Sequence, residues 1–235
     1  MATATCLIAT TFLMSAEVKF GFFGALRLHI GLALRESQKM ETKALLRFTS
    51  RRLSYRRPAS GDAVNLFSLD NDPDVMRWIN GGEEIQFKAF SEAQLPIYLA
   101  QTENSLLGFW LIHRGSQFVG WVSLRATDTS GEATLGYRLS QAHWGLGYAT
   151  EAASALIREA FIHVGLKDLV RIKANTYELN TGSQRVLDKL GFSLHRREKP
   201  SIDALVSTDT SIGGGEVWDG DEYYYGLDRS AFTFV

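Results

Sequence analysis

Two glycines one residue apart, Gly145 and Gly147, stand in the run Trp144-Gly145-Leu146-Gly147-Tyr148-Ala149-Thr150-Glu151-Ala152, between a strand-like segment and a long helical pattern. Glycine lets a backbone approach a ligand closely. The free amides at a helix N-terminus point outward with positive partial charge. Together they suit a pyrophosphate. Taken alone, the same glycines also fit a tight strand-to-helix turn. A dinucleotide site would ask for GxGxxG, and Thr150 stands where the third glycine belongs.

Asn180 and Ser183 form a second group, at the start of a later helical run. They read either as a helix N-cap with a first-turn serine or as ligand contacts. Five acids, Asp203, Asp209, Glu216, Asp219 and Asp221, fall in the Gly/Ser-rich insert 200–221. A cationic substrate would be drawn to such a loop, and a solvated acidic loop would look the same. The histidines His29, His113, His143, His163 and His195 are scattered, and Cys6 is the sole cysteine. No internal disulfide and no cysteine or paired-histidine metal site is expected.

The elements that must position these groups follow from periodicity. Residues 48–57 read as a first strand, closed by Pro58 and Ser60-Gly61-Asp62, with a helix capped by Asp62 after it. Asn71-Asp72-Pro73 breaks that helix; a second carries Val75, Met76, Trp78 and Ile79 up to Gly81-Gly82, and a third spans 91–101 from an N-cap Ser91. Strand-like runs at 108–113, 118–125 and 132–139 are joined by links too short for a parallel return, so they are expected antiparallel. The longest helix carries the stripe Ala149, Ala152, Ala153, Leu156, Ile157, Ala160, Phe161 and Val164, stopped by Gly165. A strand at 169–174, a helix at 180–190 and strands at 193–198 and 222–227 complete the order. That order is a mixed sheet with helices on its faces.

With 235 residues, net charge −1 and pI near 6.5, the chain has nothing in its bulk charge that asks for nucleic acid or an anionic membrane. Residues 1–45 read as a dispensable extension, and 46–235 as the working domain. The apolar stretches 7–16 and 20–34 are short and interrupted by Glu17, Lys19, Arg27 and His29, below the ~18 apolar residues of a membrane helix. No positive n-region precedes them, so a secretory signal is not expected. A cytoplasmic location is expected.

Four segments in order, residues 135–139 (Leu-Gly-Tyr-Arg-Leu), 144–152, 180–183 (Asn-Thr-Gly-Ser) and 187–192 (Leu-Asp-Lys-Leu-Gly-Phe), resemble the GNAT superfamily of N-acyltransferases. Within it they are closest to the branch of ribosomal-protein N-terminal acetyltransferases. The resemblance runs from about Phe48 to the C-terminus, and Trp144 stands where the superfamily has Gln or Arg, as is frequent in this branch. It implies an α/β (α+β) fold with a mixed, mostly antiparallel twisted sheet of about six to seven strands and about four helices.

It also implies acetyl-CoA as co-substrate, held by the run Trp144, Gly145, Leu146, Gly147, Tyr148, Ala149 and Thr150 at its pyrophosphate. The strand end Tyr137, Arg138 and Leu139 would bind the pantetheine arm through main-chain groups, and Asn180 and Ser183 would lie near the thioester. The partner is an amine acceptor, a protein N-terminus or a small amine, with Trp78 and Gly81-Gly82 at the acceptor groove. Homodimers are common in the branch.

Direct attack on a thioester needs a neutral amine, a polarised carbonyl and a thiolate able to leave. A thiol pKa of ~8.5 makes the last step modest. At pH 7 roughly one α-amine in ten is neutral, against about one lysine amine in a few thousand. Glu132 is the base candidate. The tyrosine that many superfamily members use as acid is replaced by Leu187, so Ser183 is named as general acid, with His143 and Tyr137 behind it. A catalytically silent acyl-CoA-binding regulatory module is the alternative, and a nucleotide-dependent oxidoreductase a third reading.

Overall fold

Alternation of apolar and polar residues writes most of the strands. In the computed structural model, which describes residues 47–100, 106–162, 166–199 and 220–233, these runs build one eight-stranded sheet in the order β1-β2-β3-β4-β5-β6-β8-β7. The strands are β1 (Arg47–Thr49), β2 (Ser54–Arg56), β3 (Gly108–Arg114), β4 (Gln117–Ala126), β5 (Glu132–Leu139), β6 (Arg171–Tyr177), β7 (Ser193–Glu198) and β8 (Glu222–Asp228). All neighbours are antiparallel except β5 and β6, which run parallel. Their crossover is the long helix α4 (Tyr148–Ile162), as a parallel return requires.

Among the described residues five helices flank the sheet: α1 (Ala63–Asp70), α2 (Pro73–Asn80), α3, α4, and α5 (Thr181–Lys189). The helix α3 is composite, an α turn Phe87–Ala89, a π segment Phe90–Gln94 and an α segment Leu95–Leu99. Pro96 explains the break in pattern. It has no N–H to give to the preceding turn, and the Leu95 amide reaches back five residues to the Phe90 carbonyl.

Strand parity sorts the core into two layers. Trp110, Val122, Leu124, Leu135 and Ile172 pack with Leu156, Ile157 and Phe161 of α4 and Leu187 of α5. On the opposite face Phe109, Leu111 and Trp121 pack with Leu66 and Leu69 of α1, Val75 of α2, and Phe90 and Tyr98 of α3. Each fully buried leucine or isoleucine here is worth about 2–5 kcal/mol against alanine. Gly120 lets β4 and β5 close: at its φ of +150° a Cβ would lie 2.1 Å from the Arg138 carbonyl oxygen.

The fold is the expected mixed sheet, with eight strands rather than six to seven and five helices rather than four. The extra strand arises because residues 48–57 are a hairpin: the chain turns at 50–53, closed by Ser50 N–H to the Leu53 carbonyl at 2.8 Å. Ser91 lies inside α3 and its hydroxyl bonds the Phe87 carbonyl at 2.8 Å, so the helix begins earlier than its N-cap reading. Asp62 does precede α1, but its carboxylate turns to Arg56 and the Ala59 amide. The extension 1–45, the helix stop at Gly165 and insert residues 200–219 lie outside the described residues.

Candidate functional site

The loop between β5 and α4 is built to expose its backbone. Residues 144–147 are exposed, and Gly145 and Gly147 take φ of +72° and +77°. Trp144 anchors the loop, its indole N–H donating to the Leu139 carbonyl at 2.8 Å while the residue stays 41% exposed. Tyr148 is buried and Ala149 and Thr150 half-buried, so Tyr148 can serve a ligand only through its backbone. Before the loop, the Nδ1 of buried His143 lies 2.6 Å from Ser140 Oγ. Burial, then the charge of Arg114, lowers the His143 pKa and keeps the ring neutral near pH 7.

Arg52, in the β1–β2 turn, underlies this loop, and the sequence reading had not singled it out. Its Nη1 donates to the Leu146 carbonyl at 3.0 Å. Across a trans peptide the following N–H points the opposite way, so the Gly147 amide is turned away from Arg52. Arg52 Nε holds Glu151 Oε2 at 2.6 Å, its own N–H and the Ser50 hydroxyl donate to Glu151 Oε1 at 2.7 and 2.6 Å, and its guanidinium lies 4.6 Å from the Tyr148 ring centroid. Burial pushes the Glu151 pKa up, but the Ser50 and Arg52 donors outweigh it and hold the carboxyl below its usual value. In the sequence Glu151 read only as a polar residue of an amphipathic helix; its partners lie about a hundred positions away.

Strands β5 and β6 pair over three positions only, Glu132 to Thr134 against Arg171 to Lys173. Beyond them the β6 side of residues 135–139 has no strand partner, and a cleft of about 190 Å³ opens between the strands. Residues 135–138 line one wall and 174–177 the other, with Asn180, Ser183 and Leu187 of α5 contributing. The Tyr137 hydroxyl lies 2.7 Å from Ser183 Oγ and 3.2 Å from the Ser183 carbonyl. Burial raises the Tyr137 pKa well above its ordinary value, so the phenol stays protonated. Asn180 Oδ1 accepts from the Ser183 N–H at 3.1 Å; it caps the helix and lines the cleft, and its two readings are compatible.

The carboxylates divide sharply. Glu132 sits at the foot of the splay in an ion pair with Lys173 and is not among the residues lining the cleft. Glu222, which begins β8 opposite Tyr177, does line it. Its oxygens accept from Asn175 Nδ2 and, at 2.7 Å, from the Tyr224 hydroxyl. Burial, then the bond and charge of Glu222, pushes the Tyr224 pKa up to about 12. The sequence held one signal for Glu222, an acid at the head of a strand. Nothing local joined it to Ser183.

The opposite end of the cleft is aromatic. Trp78 and Ile79 of α2, Ile97 and Tyr98 of α3, Phe109 and Trp121 line it, and Gly81 in αL conformation ends α2 beside them. Arg138 turns its side chain to this face, where it pairs with Asp70; the Tyr98 hydroxyl donates to the other Asp70 oxygen at 2.7 Å. Burial alone would lower the Arg138 pKa, but Tyr98 and Asp70 hold it up. Of the insert acids Asp221 is described: its carbonyl accepts from the Glu178 N–H at 2.8 Å. Among the described residues no cluster of His, Cys, Asp or Glu could hold a metal ion, and no helix is long and apolar enough to cross a membrane.

A profile of the acetyltransferase (GNAT) domain matches residues 52–193. A curated relative, FsC-acetyl coenzyme A-N(2)-transacetylase of Aspergillus fumigatus, is 30% identical over 135 residues, 53% of this chain and 55% of that protein, so the chain spans about half its length. N-acetyltransferase p20 of Bacillus licheniformis is 30% identical over 146 residues, 60% of this chain and 79% of that one. Among solved structures, ribosomal-protein-S5-alanine acetyltransferase from Vibrio fischeri superposes with a TM-score of 0.60 at 18% identity, covering 80% of this chain and 99% of that one. Spermidine N-acetyltransferase from Vibrio cholerae, in complex with CoA and spermine, gives 0.59 at 14% identity, covering 77% and 97%. At these identities the structural likeness speaks for the fold.

Proposed function

The chain belongs to the GNAT acetyltransferase family, an acetyl-CoA-dependent one, and on that premise we propose that it acetylates a primary amine by direct attack on the thioester, with Ser183 as acid and Glu222 as base. The observation that carries the reading is the parting of β5 and β6 after Thr134 and Lys173. It leaves one main-chain edge of β5 open to a ligand, between a hydroxyl pair and a carboxylate.

The loop fits a pyrophosphate. A Cβ on Gly145 would meet nothing within 4 Å, and the Gly147 amide faces away from Arg52, so backbone donors at residues 145–150 are open to a ligand. The open edge of residues 135–139 offers main-chain groups to the pantetheine arm and a donor to the developing oxyanion. The Leu139 carbonyl already accepts from the Trp144 indole N–H.

Ser183 Oγ can pass its proton to the departing sulfur while Tyr137, whose raised pKa keeps it a hydrogen-bond donor, steadies the serine oxygen, and the proton taken from the amine returns to Ser183 through solvent. Glu222 takes the amine proton, directly or through water. Glu132 is less well placed, because it is paired with the Lys173 ammonium and lies off the cleft. The acceptor is a small amine or a protein N-terminus, and relatives of both kinds share the fold. Residues 46–235 suffice for the activity in this reading, with 1–45 dispensable and the protein cytoplasmic.

Isothermal titration with acetyl-CoA, followed by thiol release against a panel of amines and short peptides, tests it. Binding with turnover is the expected result. Binding without turnover favours the silent regulatory module, and no binding by folded protein overturns the proposal.

A further inference from the structure

We infer that the acceptor is a monoamine bearing an aromatic ring or a branched apolar group, seated against Tyr98, Phe109 and Trp121 with half-buried Trp78 beside them. This rests on the acetyl-transfer reading above and names the substrate class of that site.

The three rings form one edge-to-face cluster. Tyr98 and Phe109 have centroids 4.8 Å apart at 70°, Phe109 and Trp121 5.0 Å at 81°, and Tyr98 and Trp121 6.0 Å at 61°. Each is less than a tenth exposed, yet each lines the cleft, so the wall is fixed before a ligand arrives. The Tyr98 hydroxyl is spent on Asp70, whose second oxygen is spent on Arg138. Apart from the buried Trp121 indole N–H, such a wall offers a ligand ring faces and edges.

Charge points the same way. Glu222 is the one carboxylate among the described residues lining the cleft, and Arg138, also among them, is already paired with Asp70. One acid can meet one ammonium. The further ammonium groups of a polyamine would find no second carboxylate among the described residues lining the cleft to offset their desolvation. A ring buried on this wall should improve kcat/KM by about 10- to 100-fold over the same amine without it. A free amine and the first residue of a peptide can both supply the ring, and the chemistry recognised is the same.

The test measures thiol release by the full chain from acetyl-CoA with 2-phenylethylamine, propylamine, spermidine and a tripeptide beginning with phenylalanine, rates being referred to the neutral amine. At least one ring-bearing acceptor should exceed both propylamine and spermidine by tenfold or more. Which of the two is preferred identifies the source as a free amine or a peptide N-terminus. In W78A that preference should shrink several-fold, with the KM for acetyl-CoA unchanged. Spermidine or propylamine used as well as the ring-bearing acceptors would overturn the inference and leave acetyl transfer standing. Acetyl-CoA binding with no release for any acceptor would overturn both.

Discussion

Arg52 grips Glu151 through a side-chain bond of 2.6 Å and a main-chain bond of 2.7 Å, and with its remaining nitrogen reach holds the Leu146 carbonyl at 3.0 Å. One residue of the β1–β2 turn thus fixes both the first turn of α4 and the glycine loop before it. The carbonyl contact sets which way the Gly147 amide faces, so in the proposed site Arg52 would act on a phosphate through the backbone it orients.

R52A should weaken acetyl-CoA binding by about tenfold, or ~1.4 kcal/mol. The melting temperature should fall by only about 2–4 °C, because ion pairs this exposed contribute roughly 0–1 kcal/mol. Titration and a thermal melt on the same sample separate the two. A large loss of Tm with unchanged affinity would make the clamp purely structural.

Glu151 predicts an acid limb in stability. Its folded pKa lies below its unfolded value, since the donors from Ser50 and Arg52 outweigh the upward push of burial. The stabilisation is therefore complete above the unfolded pKa, about 4.3, and is lost as pH falls through the folded value. E151Q should lower Tm at neutral pH and flatten its decline below about pH 4.3. Asp62, held down by Arg56 and the Ala59 amide against burial, should keep part of that decline in place. Melting curves across the acid range check it.

What was legible in the sequence was local. The glycine loop, the strand 132–139 and the capped helix after Asn180 each declare themselves within a dozen residues, and the structure places all three as read. The hairpin at 48–57 was not legible. Its turn, Ser50-Arg51-Arg52-Leu53, holds no Gly, Pro or Asn, and it is pinned by Glu151 from a hundred residues away. Glu222 stayed hidden for the same reason. It enters the cleft through β6–β8 pairing, beyond an insert that carries no periodic signal.

Ser183 and Tyr137 should behave as one unit. S183A should lower kcat by about 100-fold if Ser183 supplies the proton, with acetyl-CoA affinity within threefold. Y137F should lower it by a smaller factor, and the double variant should be little worse than S183A alone, because the second change removes a group that acts through the first. Steady-state kinetics on the three variants reads the coupling directly.

Two carboxylates compete for the role of base, and their neighbours separate them. E222Q should cut kcat by about 100-fold. E132Q breaks the ion pair with Lys173 at the foot of the splay and should change kcat by less than threefold. The opposite ranking would return the role to Glu132.

The Arg138–Asp70 pair is buried on the aromatic face of the sheet, its side chains only 10% and 4% exposed. Removing one member of a buried pair strands the other charge, a loss of about 3–5 kcal/mol. D70A should therefore drop Tm by about 10 °C or more, leaving a guanidinium against Trp121 and the Tyr98 hydroxyl without its acceptor. D70N keeps an oxygen for that hydroxyl and should recover part of the loss. If the pair served only stability, a D70N protein assayed below its lowered Tm would keep its preference among amines. Because Tyr98 is oriented by Asp70 and forms one side of the ring wall, that preference should instead narrow, and kinetics with ring-bearing and plain amines decides between the two.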